Sequence, residues 1–430
     1  MKLKVEKSSC NFEREPLVRP FGFKGGYMNQ IWQVAAKLET SDGISGLGLG
    51  CQNVLWSDSR VFTSTSEPGG NALMFAITER ALRMIRDTDF ITPIDLMDRI
   101  FDDLYSYACD ITGISNLKKT FVLNALVPAD NAAWVLYARK HGLENFDRMI
   151  PSEYRPSLSY RHKKVASVPI SSYAMPIREV VELVSGQGYF ILKLKLGSPG
   201  TQSEMLAGDM ERLEQVHKSI GDVDVSYTKN GKLPYYFDAN GRYEKKETLQ
   251  KLLDYAQKIG AFEQILVVEE PFPEEMTEDV GNLGVLVAAD ESAHTAKNVQ
   301  ERIKMGYGAI ALKAAAKTLS MTLKMAREAY EQNVPCFCAD LTVNPVLIEW
   351  NKNVAARLAP LPGLDVGLLE NNGHQNYKNW NRMKTFHPYP NALWANERQG
   401  VFQLDEHFYE KSAGIFEDVM HYSKMVTGDK

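Results

Sequence analysis

Apolar positions along this chain follow two rhythms. From about residue 165 onward, short continuous apolar runs alternate with longer amphipathic stretches. The runs cover 165–170, 189–197, 235–238, 265–269, 285–289, 309–313, 335–340 and 364–370. Runs this short and this apolar predict strands buried on both faces. The stretches at 177–185, 202–220, 246–259, 295–305, 319–332 and 346–358 carry helical spacing. Intervals of roughly 20 to 45 residues fit βα units, and eight such units close a parallel barrel. The runs ending in Asp238, Glu269 and Asp290 are expected to be separated from one another by helices. The stretch 223–233 is longer and more polar than a connection needs, and predicts a surface insertion on the N-terminal side of the third strand.

Residues 1–150 lack that alternation. A strand over 31–40, a turn at Ser41-Asp42-Gly43 and a return strand over 46–51 predict a hairpin. Helical patterns follow at 71–86, 93–107 and 117–141. A hairpin followed by helices is an α+β module. Two polar or glycine-rich segments within it, 19–27 and 53–70, read as mobile loops. Residues 155–164 read as a charged linker to a barrel domain spanning 165–390, and 391–430 are expected to pack back on the first domain.

Composition changes this picture little. The chain has 430 residues, 44% hydrophobic and 24% charged, which is ordinary for a globular protein. A formal net charge of −5 disfavours nucleic acid as the main partner. The charged start Met1-Lys2-Leu3-Lys4 does not read as a signal peptide, and no apolar run approaches membrane-spanning length. Five scattered cysteines, Cys10, Cys51, Cys109, Cys336 and Cys338, do not form a disulfide framework. Cys336 and Cys338 read as buried small hydrophobes rather than half a metal site. A reducing, cytoplasmic compartment is expected.

The ends of the apolar runs change it greatly. Three consecutive runs each deliver a carboxylate: Asp238 before Ala239-Asn240, Glu269 before Glu270-Pro271, and Asp290 before Glu291-Ser292. In a parallel barrel all strand C-termini open on one face, where active sites are built. Carboxylates converging there repel one another unless a cation lies between them, and hard oxygen donors suit Mg²⁺. Lys193 and Lys195 share one side of their strand. Taken alone, a Lys-x-Lys pair favours a half-solvated outward face. Lys313 shifts that balance, because it ends the sixth strand, across an eight-stranded ring from the second. Amines on both sides of a bound substrate can remove a proton from one face and return one to the other. Acting near neutral pH requires a depressed lysine pKa, which desolvation or a neighbouring cation provides. Lys317, four residues on, is expected to be solvated.

Further candidates carry two readings each. Asn240 is either a supporting contact at the metal or a turn former before Gly241. Glu270 either supports the site or pairs with a neighbouring strand, and Glu291 faces the barrel wall or bonds Lys195. Asp340 and Glu370, closing the seventh and eighth strands, are substrate-contact candidates. His374 reads as a solvated loop histidine. Phe21, Phe23 and Trp56 either line a substrate lid or pack between domains.

The ordered set Lys193-x-Lys195, Asp238-x-Asn240, Glu269-Glu270-Pro271, Asp290-Glu291-Ser292 and Lys313 resembles the enolase superfamily, specifically its muconate lactonizing enzyme subgroup. The resemblance implies a modified TIM barrel, (β/α)7β, with an N-terminal α+β capping domain. It implies Mg²⁺ on Asp238, Glu269 and Asp290, an acid/base pair in Lys195 and Lys313, and Lys193 as electrostatic helper. It further implies abstraction of a proton α to a carboxylate, with Mg²⁺ stabilising the resulting enolate. Lysines on both faces make racemisation or epimerisation of a small carboxylic acid or amino-acid derivative the simplest outcome. Cycloisomerisation and syn-dehydration need one base only, and a non-catalytic ligand-binding member is the remaining alternative. A strand-seven histidine, which would mark the mandelate racemase subgroup, is absent. The chain departs from the pattern at Ala314-Ala315-Ala316-Lys317-Thr318, where relatives often carry Gly-Gly. It departs again at Glu370-Asn371-Asn372-Gly373-His374, where dipeptide epimerases carry Asp-x-Asp. The expected partner is a small-molecule carboxylate, with no nucleic acid and no membrane, and a homo-oligomer is expected.

Overall fold

The computed structural model describes residues 2–23 and 26–428. It begins with an antiparallel sheet in the order β1 (Lys7–Phe23), β2 (Gly26–Glu39), β3 (Ser45–Gln52). No apolar pattern in the sequence predicts β1. Its sequence is polar and interrupted by Pro16 and Pro20, features tolerated because it is an edge strand pairing on one side only. The register shifts between Pro16 and Phe21, then resumes to Phe23↔Gly26. Helices Ser59–Arg86, Pro93–Thr112 and Lys119–His141 pack beside this sheet. Helix Lys119–His141 is buried along most of its length because β3 offers it glycine. A Cβ at Gly46 would lie 2.2 Å from the Ala132 carbonyl, and one at Gly48 2.1 Å from that of Pro128.

Neither expected loop is a loop in the described residues. Residues 19–23 and 26–27 continue the β1–β2 hairpin. Most of 53–70 is helical, because its polar residues are caps rather than loop formers. The Asn53 side chain accepts from Trp56 N, starting the turn Val54–Ser57, and Asp58 accepts from Arg60 N, starting the next helix. That helix kinks at Ser66 (φ 76°, ψ 169°), two residues before Pro68.

The second sheet runs β13-β4-β12-β11-β10-β9-β8-β7-β6-β5. Its strands are β4 (Lys164–Val168), β5 (Ile170–Ser171), β6 (Leu192–Lys195), β7 (Tyr235–Asp238) and β8 (Ile265–Glu269). They continue with β9 (Val287–Ala289), β10 (Ala309–Leu312), β11 (Cys336–Cys338), β12 (Gly367–Glu370) and β13 (Val401–Gln403). β4 pairs with β12 and β5 with β6, both parallel. These two strands are one strand interrupted at Pro169, which has no N–H to give but whose carbonyl accepts from Lys193 N at 3.0 Å. The sheet therefore closes on itself as an eight-stranded parallel barrel, with β13 added antiparallel on β4. The apolar runs are these barrel strands, and an α/β barrel with an α+β cap is the fold.

One expected helix is missing. Residues 270–286, between β8 and β9, form no helix; Pro271, Pro273, Gly281 and Gly284 break any helical run there. The polar stretch before β7 lies at the strands' N-terminal end: Thr228 bridges Leu364, and Lys164 Nζ donates to Tyr227 Oη at 2.9 Å. After β13, helix Met420–Thr427 returns to the first sheet, where Asn11 Nδ2 donates to the Met425 carbonyl at 3.0 Å. Among the described residues no helix is long and apolar enough to cross a membrane.

Candidate active site

The C-terminal ends of β6 to β12 converge on one buried cluster of charge. Lys193 and Lys195 point inward from β6. Lys193, 2% exposed, lies 2.8 Å from Asp238 Oδ2, 3.1 Å from Glu269 Oε2 and 2.9 Å from Glu370 Oε2. Lys195 Nζ reaches Asp238 Oδ2 at 2.5 Å and Asn240 Oδ1 at 2.7 Å. The outward-facing reading of this lysine pair is therefore wrong: carboxylates on the neighbouring strands supply the compensation that buried ammonium groups need. From across the ring, Lys313 Nζ contacts Asp290 Oδ2 at 2.5 Å and sits 4.8 Å from the centroid of the Trp56 ring.

The turns after the strands are unusual. Asn240 (φ 46°) and Glu270 (φ 39°), one or two residues beyond β7 and β8, sit in left-handed backbone that non-glycine residues enter at a cost. Their side chains hold them there. Asn240 takes Lys195 on its oxygen and gives its amide to Glu291 Oε1 at 2.9 Å. Glu270 accepts from Asp290 N at 2.7 Å and Ser292 Oγ at 3.0 Å, so it braces the end of β9, and among the described residues it makes no ion pair.

Oxygens of Glu269, Asp290 and Glu291 lie within 4.8 Å of one another. Two of the three expected metal acids are thus together, while the third, Asp238, is turned to Lys193 and Lys195. Tyr236 Oη donates to Glu269. Burial pushes Glu269 up to about 8 despite Lys193. Burial also acts upward on Asp238, but Lys193 and Lys195 outweigh it and hold the carboxyl at about 2. For Lys313, burial acts downward and is outweighed by Asp290 and Glu269, which hold it above its ordinary value. The depressed lysine expected from the sequence is the opposite of what this carboxylate-rich surrounding produces by itself.

Lys317 was expected in solvent and is instead fully buried, with Nζ donating to Asp290 O at 2.7 Å, Ala293 O at 3.0 Å and Asp290 Oδ1 at 3.2 Å. A signal existed: Ala314–Lys317 is one helical turn, and residues four apart share a face. Glu370 binds Lys193 and accepts from Asp340 N at 2.9 Å. His374 is not solvated; it stacks on Tyr189, with Nε2 3.1 Å from Tyr189 Oη.

A small cavity opens over the cluster, with Lys195, Lys313 and Asp238 on its floor and Phe21, Met28 and Trp56 from the first domain on its wall. The Phe23 side chain lies outside the described residues. Phe21 sits near the hairpin tip and is half-buried, so Phe21→Ala is expected to raise KM about tenfold with little change in Tm. Steady-state kinetics beside thermal unfolding check this; a large Tm drop with unchanged KM assigns Phe21 to domain packing. Trp56, 7% exposed, belongs to the packed core as well, and its truncation should both raise KM and lower Tm.

Residues 177–374 match the family described as Enolase C-terminal domain-like. Solved structures share the fold across most of the chain. A mandelate racemase/muconate lactonizing protein from Herpetosiphon aurantiacus matches at 17% identity over 94% of this chain and 96% of that one, with a TM-score of 0.62. A dipeptide epimerase from Cytophaga hutchinsonii, complexed with Mg and the dipeptide D-Ala-L-Val, matches at 13% identity over 93% of both chains, with a TM-score of 0.63. An N-succinyl Arg/Lys racemase from Bacillus cereus matches at 16% identity over 87% and 89%, with a TM-score of 0.61. No curated protein sequence matches significantly.

Proposed function

We propose, from a barrel that belongs to the enolase C-terminal domain-like family, that this chain is an Mg²⁺-dependent enzyme removing the proton α to a substrate carboxylate. Racemisation or epimerisation of a small carboxylic acid or amino-acid derivative is the favoured outcome. The observation that carries this reading is a single cavity floored by Lys195 and Lys313, which come from β6 and β10 on opposite sides of the ring.

The residues present fit the metal. Glu269, Asp290 and Glu291 offer clustered hard oxygens, and Asp238 lies at the neighbouring strand end. Asp238, Glu269 and Asp290 are the residues that would hold it, with Glu291 as a fourth donor. Bound Mg²⁺ supplies positive charge where negative charge builds up on the substrate carboxylate. The chain's own residues do the rest. Lys195 and Lys313 exchange protons with the α-carbon from either face. Turning Asp290 and Glu269 away from Lys313 removes what now holds that lysine protonated. Lys193, gripped by three carboxylates, stays charged and adds a fixed positive field beside Lys195. Asn240 keeps Lys195 aimed, and Glu291 keeps Asn240 in place.

Incubation with Mg²⁺ in D₂O, with a panel of carboxylic acids, tests the reading: α-deuterium incorporation is expected by NMR and should stop on adding a chelator. No exchange on any acid sinks it. Asp238→Asn, Glu269→Gln and Asp290→Asn are each expected to weaken Mg²⁺ binding about 100-fold or more, since losing a group that merely supports a ligand already costs 10- to 100-fold. Unchanged calorimetric Mg²⁺ affinity in all three would make the carboxylates structural.

A further inference from the structure

Among the described residues, the barrel mouth holds more buried carboxylate than buried amine. Lys193, Lys195, Lys313 and Lys317 balance Asp238, Glu269, Asp290 and Glu370 through the contacts above. Glu270 is bound into the backbone at the end of β9, and Glu291 receives the Asn240 amide. Asp340, just beyond β11, stands apart. It is 5% exposed and lines the same cavity as Lys195 and Lys313. Three backbone N–H groups fix its carboxylate: Leu341 N at 2.7 Å and Val343 N at 3.2 Å on Oδ1, and Asn372 N at 2.9 Å on Oδ2. Among the described residues no lysine, arginine or histidine pairs with it. The other two carboxylates lining this cavity, Asp238 and Glu370, both contact Lys193.

A buried carboxylate is costly without a cation; the three backbone donors stabilise it in part and fix its direction, but they bring no net positive charge beside it. A divalent metal at the carboxylate cluster answers its own ligands and leaves Asp340 as it is. We propose that Asp340 receives a positively charged group of the substrate, so that the substrate class is a small carboxylic acid bearing a free ammonium group. Acids whose amine is acylated, or that carry a further negative charge, place an uncompensated or repelling group against Asp340. Burial, with Glu370 adding to it, pushes Asp340 up to about 7, and an arriving ammonium draws it back to the carboxylate form. The ammonium belongs either to an unblocked amino-terminal unit or to a basic side chain. The inference takes its chemistry from the proton-abstraction reading, but the cation receptor itself does not need that reading.

The test uses the full chain with Mg²⁺ in D₂O and two matched sets of acids. L-Alanyl-L-alanine is set against its N-acetyl form, and Nα-acetyl-lysine against Nα-acetyl-norleucine; the first pair probes a terminal ammonium, the second a side-chain one. In at least one pair the ammonium-bearing acid is expected to incorporate α-deuterium about 100-fold faster than its partner, and Asp340→Asn to narrow that ratio to within about tenfold. Equal rates within both pairs of the wild type overturn the inference and leave the proton-abstraction reading standing. Calorimetry of the same acids separates the two failures. Tighter binding of an ammonium-bearing acid, without exchange on these acids or on the wider panel, keeps Asp340 as the cation receptor and removes the enzymatic reading. Neither exchange nor preferential binding removes the receptor. If Asp340→Asn does not fold, the wild-type ratios and affinities decide.

Discussion

Lys195→Ala is expected to abolish interconversion of enantiomers while leaving α-proton exchange of the one enantiomer whose proton faces Lys313. Lys313→Ala is expected to show the mirror pattern. The two amines enter the cavity from β6 and β10, with separate carboxylates beside them, Asp238 for Lys195 and Asp290 for Lys313. Removing one therefore leaves the surroundings of the other largely intact. A positioned acid or base contributes about 10²- to 10⁴-fold, so the overall interconversion should drop by at least the lower figure. NMR of deuterium incorporation into each enantiomer separately reads this out. Exchange lost entirely in one variant and untouched in the other would identify a one-base reaction, cycloisomerisation or dehydration. Lys193 belongs to neither role. Three carboxylates within 3.1 Å keep it well above its ordinary pKa against the pull of burial, so it acts as a charge and not as a base.

Much of this site was legible in the sequence because strands state their own geometry. A run such as Tyr235-Tyr236-Phe237-Asp238, apolar until its last residue, can only be a buried strand that surfaces at its C-terminal end. Three such ends in succession place three carboxylates on one rim of a barrel. The period of two in Lys193-Leu194-Lys195 places both amines on one side, though deciding which side needed the neighbouring strands. What escaped was carried by turns and caps, whose residues look alike whether they end an element or begin one. Asn53 and Asp58 read as loop residues and are helix caps; β1, paired on one side only, had no apolar signature to show. A depressed lysine pKa is expected with a second lysine and a divalent cation beside it; with the carboxylates facing the lysines instead, Asp290 and Glu269 approach Lys313 closely enough to hold it up. Lys317 escaped because the Ala314–Lys317 turn folds it back under the strand ends instead of carrying it outward.

That lysine carries the second large effect. Lys317→Met keeps the length of the side chain and removes its charge and its donors. The Asp290 and Ala293 carbonyls lose their shared partner, and Asp290 loses one of the lysines that hold its carboxyl below the usual range against burial. Removing one partner of a buried ion pair costs about 3–5 kcal/mol, so a Tm loss of many degrees is expected in metal-free protein. Lys313 still contacts Asp290, which sets a ceiling on the loss. A divalent cation at the same carboxylates replaces the missing charge, so saturating Mg²⁺ should recover a large part of that Tm. It should bind the variant at least as tightly as the wild type, because the cation that repelled it has gone. Thermal unfolding with and without Mg²⁺ measures both quantities. An unchanged metal-free Tm would mean that water satisfies this corner of the barrel and that Lys317 is a passenger. An equal Tm loss with and without Mg²⁺ would mean that Lys317 holds the two carbonyls in place and contributes nothing through its charge on Asp290.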